Sequence, residues 1–583
     1  TSRIDTTPME YLRGMGISWN LKNQIRKLIE DYIEDSNHIS WFNKFKEGLL
    51  YLFFGLGVSA LEANLSSLNQ IENRRIEQEK LQKLEESFIP MPKASPKVPL
   101  ENQEFAYPIK EIAIIGNTIL PPKVLEKWRN THKLLKDMQS LQKTINHLEN
   151  LYLNKGYIST RIKVDLSQAN SPNAKLILRI LEGKIDKYLF NHQENLLKST
   201  LTFPKRKNQH FNIRDIDQAV DNLSNLANIS INPSSKLGYS IVNVETPKKL
   251  DLGGKLNYNN LGQSSTGKAR AKISLNSKDF LGFNESLFFY YQQRLNPKKR
   301  KNNAKNYLLS FGFPFAYYNV GYSYESSHYK QDIYALNRIY TAQGSSTTQN
   351  FNLSKVLYRN SNSKLHFKIN LALKKIDNLI DNHRLTLSSR RLSVISMESS
   401  YLGRMANGLI SANVGLHQGL KHFKANKDNE WYRTPNTPEA KFLKYSYSLS
   451  WYKPFNAYYY KIDFSGQATK DILYSNEKLY IGDDTTIRGF KNNGLQGDKG
   501  FYLRNELGVN LKNIKPFIAY DIGHIKNSYG LDEYGRELQG ISMGAKITYK
   551  SLEADLTFSH ALKYPKTLPV NGKEIYTSIT WNF

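Results

Sequence analysis

The chain has 583 residues, 40% of them apolar, and its 81 Lys and Arg against 52 Asp and Glu give a net charge of +29. Its mean hydropathy of −0.55 excludes a bundle of membrane-spanning helices, each of which needs about 20 apolar residues in a row, and its length calls for two or three domains. The absence of cysteine excludes a disulfide framework, a thiolate metal site and a cysteine nucleophile, whereas 37 Tyr and 27 Phe suit strands and the aromatic girdles of a membrane barrel.

The first element is an uncharged apolar run, Gly48 to Leu61, preceded by Lys44 and Lys46 and followed by small residues near Ala63. A basic flank, a short apolar segment and small residues read as a signal peptide, so residues 1–63 are an N-terminal extension and export signal. Thr1 to Asn43 fits no part of that pattern, and Met9 or Met15 is a candidate start. Residues 64–88 place Leu68, Ile71, Arg75 and Ile76 at helical spacing among charged and amide side chains, a polar helix with a thin apolar stripe. Residues 89–106 carry Pro90, Pro92, Pro96 and Pro99 and form an extended linker. The polar helix is therefore tethered, and a wet lumen suits it better than a packed core.

Residues 107–183 read as a β-α-α-β-β unit, with strands at Ile109 to Ile115, Tyr157 to Leu166 and Lys175 to Leu181. Its clearest helix runs from Leu141 to Lys155 and closes at Gly156. Residues 184–248 repeat the pattern, with strands at Ile185 to Phe190 and Ser240 to Val244 around a helix at Ile213 to Leu226. Two small α/β modules in tandem, with open sheet edges, are expected.

Residues 249–583 become a series of alternating segments. Ala269, Ala271, Ile273 and Leu275 alternate with Arg270, Lys272, Ser274 and Asn276, and Ile541, Met543, Ala545 and Ile547 alternate with Ser542, Gly544, Lys546 and Thr548. Successive strand residues point to opposite faces, so each segment has an apolar and a polar face. Short turns, expected near Asn319 and Pro454, alternate with long polar stretches such as Lys421 to Glu439. With an export signal upstream, this predicts a transmembrane antiparallel β-barrel around a hydrated lumen. The last strand ends at Trp581 and Phe583 and resembles the terminal aromatic signature by which bacterial barrels are inserted.

The order helix, proline linker, two α/β modules and barrel resembles the outer-membrane transporters of two-partner secretion, which export haemolysins, adhesins and contact-dependent inhibition toxins. The modules resemble that family's POTRA domains, on Leu151 to Arg161 and Leu178 to Ile185 in the first and Ile213 to Leu226 in the second. The most specific match is Leu479 to Leu507, whose core Ile487-Arg488-Gly489-Phe490 is similar to the family's inward-folded loop motif. Phe517 to Gly523 resembles its partner on the barrel wall. The resemblance implies a barrel of 16 strands, an inward loop around residues 479–500, and a contact between Arg488 and Asp521 flanked by Phe517 and Gly523. It also implies that the helix of residues 64–88 plugs the lumen and that the modules bind a large exoprotein. Gly482 to Thr485 departs from the family's more glycine-rich approach to the loop.

The expected partners are that exoprotein, outer-membrane lipid, and the barrel-assembly machinery that inserts the chain. No nucleic-acid motif accompanies the positive charge, so no nucleic-acid partner is expected. Neither a His-Glu-x-x-His pair, a Gly-x-Ser-x-Gly elbow nor a phosphate-binding loop is present, so no catalytic residue, metal or cofactor is expected and export proceeds without ATP. His417 and His422 read as solvated side chains. A barrel-assembly insertase of the same superfamily is the competing reading.

Overall fold

The computed structural model describes residues 104–583, apart from 110, 133, 169–173, 224–226, 247–250, 264–266, 296–302, 336–337, 386–387, 429–435, 492 and 530–535. The expected export signal, the plug helix with Leu68, Ile71, Arg75 and Ile76, and the linker up to residue 103 lie outside the described residues.

In the first module, strand Glu111–Ile115 runs parallel to Lys175–Leu181, which pairs on its other side with antiparallel Arg161–Asp165. Helices α1 (Pro122–Thr131) and α2 (Met138–Asn154) pack Leu125, Trp128, Leu148 and Tyr152 onto Leu176 and Leu178. Helix α2 starts ahead of the expected Leu141 because Asp137 caps it, accepting the Ser140 N–H at 2.6 Å. The expected strand Ile109 to Ile115 divides in two: Glu104–Ile109 pairs instead with Leu135–Asp137. Gly156, just past α2, has φ +93°, and a side chain there would meet Asn212 Oδ1 of the second module at 2.3 Å.

The second module repeats the sheet, with Lys184–Phe190 parallel and Asn228–Pro233 antiparallel to Tyr239–Glu245. Helix α3 (Leu196–Thr202) and strand Asn228–Pro233 were not expected, being short segments with little periodic signal. Helix α4 (Ile213–Asn222) stops short of the expected Leu226 and is buried on both sides. Ile213, Ile216 and Ala219 face the module core. Its polar side docks on the barrel: Asp215 accepts the Tyr317 hydroxyl at 2.5 Å, and Asp221 pairs with Arg359 and Lys364. Asn222 donates to the carbonyls of Thr202 and Ala316, both at 2.8 Å.

Burial pushes Asp217 of this helix up to about 6, although Arg214 and Arg359 oppose the shift, and it raises Asp215 as well. A buried carboxyl with a raised pKa stabilises the docked arrangement most fully below the ordinary carboxylate range, and that contribution is lost as pH rises through about 6. Amide exchange across Ile213–Asn222, corrected for its intrinsic rate, is therefore expected to be more protected near pH 5 than near pH 7. Equal protection at both pH values would contradict the assignment.

Beyond residue 250 the sheet closes into a barrel of 16 antiparallel strands, the last of them (Lys573–Asn582) pairing with the first (Asp251–Asn259) so that Trp581 faces Leu256. Closure removes the edges that an open sheet would expose. The alternation sorts side chains to two sides. Val320, Leu353, Val414, Met543 and Ile579 are exposed on the outside, whereas polar residues such as Ser396, His417 and Ser446 join in hydrogen bonds within the lumen. An outer belt this apolar belongs in lipid. Asn319 and Pro454 lie inside strands rather than in turns. The turns fall two or three residues away, at Ala316 and Asn456, where positive φ of +52° and +55° reverses the chain between twisted strands.

Candidate functional site

After strand Tyr458–Thr469 the chain turns into the lumen before it returns to the wall at Lys499–Val509. Inside, Leu479–Ile481 pairs antiparallel with Leu495–Gly497, making a hairpin whose tip carries the Ile487 to Phe490 motif. Side chains shape the approach in place of glycines. Asp483 accepts hydrogen bonds from the backbone N–H groups of Thr485 and Thr486 at 2.6 and 2.8 Å, and Thr486 Oγ1 accepts one from Gly482 at 2.9 Å.

Ile487 and Phe490 are buried against Ile481, Ile525, Leu538 and Ala561, an apolar cluster within the barrel. Arg488 points to the wall. Its Nε and Nη2 donate to the two carboxylate oxygens of Asp521 at 2.7 and 2.8 Å, and its backbone N–H reaches the same carboxylate at 3.1 Å. Asp521 is fully buried, so this is a desolvated two-point pair, the geometry in which an Arg–carboxylate contact is strongest. The guanidinium also lies 5.7 Å from the Phe517 ring centre, a cation–π distance. Gly489 takes φ +104° and donates its N–H to the Tyr576 hydroxyl at 3.1 Å. Gly523 lies under Ile487: a Cβ there would sit 3.0 Å from Ile487 Cδ1.

The structure thus brings Ile487, Arg488, Gly489 and Phe490 of the hairpin together with Phe517, Asp521 and Gly523 of the wall. Trp581 and Phe583 stand apart, on the outer side of the closing strand, with rings 5.3 Å apart.

Several residues of the site were not expected. Glu506 accepts from Arg488 Nη1 at 3.4 Å and from the Tyr459 hydroxyl at 2.9 Å, and pairs with Lys546 at 3.2 Å. Its signal was the lumen-facing alternation of Arg504 and Glu506 within the Leu479 to Leu507 match. Gly540 stands opposite Asp521 in register, and a Cβ on it would be 2.1 Å from the carbonyl oxygen of Arg488. The base of the hairpin is tied to other strands. Glu477 pairs with Lys374 at 2.5 Å and Lys444 at 2.8 Å, while Asp498 accepts the N–H groups of Leu473 and Ser528 at 2.9 and 2.7 Å. His417 is hydrogen-bonded to Ser396 and Ser446 rather than solvated.

This arrangement places a hairpin within the lumen and fastens it to the wall by the buried Arg488–Asp521 pair at its tip and by the ion pairs of Glu477 at its base.

Known proteins carry the same parts. The family described as haemolysin secretion/activation protein ShlB/FhaC/HecB matches residues 238–547, a POTRA domain of ShlB type matches 107–183, and a further POTRA domain matches 184–233. The outer membrane transporter CdiB of Dickeya dadantii is 27% identical over 90% of this chain and 96% of its own. The hemolysin transporter protein HpmB of Proteus mirabilis is 28% identical over 87% of this chain and 93% of its own. Among solved structures, CdiB from Escherichia coli superposes with a TM-score of 0.81 at 22% identity, covering 89% of this chain and 98% of that one, which shows a shared fold.

Proposed function

The chain belongs to the haemolysin secretion/activation family of ShlB, FhaC and HecB, and from that footing we propose how this outer-membrane transporter of two-partner secretion moves its large exoprotein. The barrel, residues 249–583, sits in the outer membrane, with the modules of residues 107–183 and 184–248 in the periplasm. An unfolded client, whether haemolysin, adhesin or contact-dependent inhibition toxin, adds a strand to an open edge such as Arg161–Asp165 or Asn228–Pro233. It then crosses the lumen beside the hairpin. The helix of residues 64–88 fills that passage at rest and leaves it during export. No chemical step or nucleotide is part of this reading; folding of the client outside the cell biases movement outward.

The observation that carries the reading is the hairpin held inside the lumen by the buried Arg488–Asp521 contact, in a barrel preceded by two POTRA modules. The test is the amount of the co-encoded exoprotein in the medium, with and without this gene. Loss of the exoprotein with normal levels of other outer-membrane proteins is expected. An unaffected exoprotein with loss of other barrels would support an insertase instead.

Insertion of the barrel itself is proposed to use the barrel-assembly machinery through the terminal strand. Truncation after Thr580, which removes Trp581, Asn582 and Phe583, is expected to cut the amount of folded barrel in the outer membrane by about tenfold, read by heat-modifiable gel mobility. Wild-type levels of the truncated barrel would contradict that role.

A further inference from the structure

The outer belt of the barrel does not end at its periplasmic rim. The turn after strand Ala269–Lys278 carries Phe280 and Leu281, 56% and 54% exposed, and Phe283, whose ring lies 6.4 Å from Phe313. Phe313 pairs with Val320 on the lipid-facing side, so this turn extends that apolar surface. Helix α3 of the second module is fastened to the same turn: Lys198 pairs with Asp279 at 2.9 Å, and Asn284 donates to the Thr202 hydroxyl at 2.7 Å. A neighbouring turn is held too, with the Ala316 N–H bonded to the Leu201 carbonyl at 2.9 Å. The free end of α3 nonetheless presents Leu196 and Leu197, 84% and 55% exposed, an arrangement that gains nothing in water.

Just beyond α3, Lys205, Arg206 and Lys207 are consecutive and exposed. The run begins next to the end of α3: the Lys205 carbonyl accepts the Tyr188 hydroxyl at 2.8 Å, and the Tyr188 ring stacks 3.9 Å from Phe203, the residue that closes the helix.

We propose that this corner of the second module, with the barrel turn it is fastened to, is a membrane-binding surface: Leu196 and Leu197 of the module and Phe280 and Leu281 of the turn enter the periplasmic leaflet, and Lys205 to Lys207 meet anionic phospholipid headgroups. Apolar side chains flanked by lysine and arginine are what an interfacial segment requires, because the two attractions add at the headgroup–acyl boundary. Continuity with the barrel belt selects lipid over a protein partner. The consequence is orientation: a module bound to the leaflet as well as to the barrel turns holds its sheet edges at a fixed angle to the lumen mouth. The proposal rests on the barrel's place in the membrane and adds a second, module-borne contact with it.

The absence of cysteine makes single-site labelling direct. An environment-sensitive fluorophore would be attached to the full chain at Leu197→Cys, Phe280→Cys, Leu237→Cys or Met543→Cys, and the protein reconstituted in phosphatidylethanolamine–phosphatidylglycerol vesicles. A fraction of the lipids would carry a nitroxide high on the acyl chain. Met543 is on the barrel belt, and Leu237 is exposed beside Gly238, which abuts Leu181 at the junction with the first module. Labels at positions 197 and 280 are expected to shift to the blue and to be quenched nearly as strongly as at 543, whereas the label at 237 is not. Combining Lys205→Glu, Arg206→Glu and Lys207→Glu is expected to reduce the quenching at 197 in these vesicles and to leave it unchanged in phosphatidylcholine alone. Quenching at 543 without quenching at 197 beyond that at 237 would overturn the proposal and leave the barrel reading standing. An absence of quenching at 543 would overturn both.

Discussion

Export of the exoprotein is expected to fall by about tenfold or more in Arg488→Ala, while the barrel still reaches the outer membrane. Removal of the guanidinium leaves buried Asp521 with only the longer pairing to Arg504 Nε at 3.9 Å and takes one cation from Glu506. Breaking a buried, hydrogen-bonded pair costs on the order of 3–5 kcal/mol, and the distant Arg504 cannot replace the lost two-point contact, so the hairpin tip loosens from the wall. Arg488→Lys keeps the charge but supplies a single point of contact in place of a fork, so an intermediate loss is expected. The measurement is client in the medium, normalised to folded transporter. Wild-type export by Arg488→Ala would mean that the contact is ornamental.

The second large effect needs no change of charge. Gly540→Val places a branched side chain where even a Cβ would lie 2.1 Å from the Arg488 carbonyl oxygen. The Cβ position is fixed by the strand backbone and the oxygen belongs to the hairpin backbone, so relief requires the hairpin to lift away from the wall. Export is expected to drop about as far as in Arg488→Ala, and the double variant is expected to be no worse than either single one, since both act on one contact. Additive losses would separate the two residues and contradict a shared mechanism.

Much of the architecture was legible because lipid imposes a simple rule on a barrel. Where the outer face of each strand meets hydrocarbon, apolar and polar residues must alternate, and segments such as Ala269–Lys278 and Arg536–Tyr549 carry that pattern plainly. The Arg488–Asp521 contact was legible only through resemblance, since 33 residues of sequence separate the partners and no local periodicity joins them.

Other features left no local trace. Glu477 meets lysines on two different strands, Lys374 and Lys444, across the lumen. The polar face of α4 has the composition of a solvated helix, yet it is buried because the barrel turns supply partners for Asp215, Asp221 and Asn222. The turns were misplaced near Asn319 and Pro454 because proline and asparagine mark turns only on average. Pro454 pairs within a strand, and the reversal is made instead by Asn456 in a left-handed conformation.

The most direct test of the central claim, that the client passes through this lumen, is cross-linking at one strand of the wall. Ser448 faces the lumen, where Asn413 hydrogen-bonds to it at 3.1 Å, and Leu449 faces outward beside Phe464. A client carrying one cysteine and arrested by a folded downstream domain would be expressed with either Ser448→Cys or Leu449→Cys transporter. A disulfide adduct at position 448 and none at 449 is the expected result. Adducts at neither position from an arrested client, or adducts only at 449, would contradict passage through the barrel.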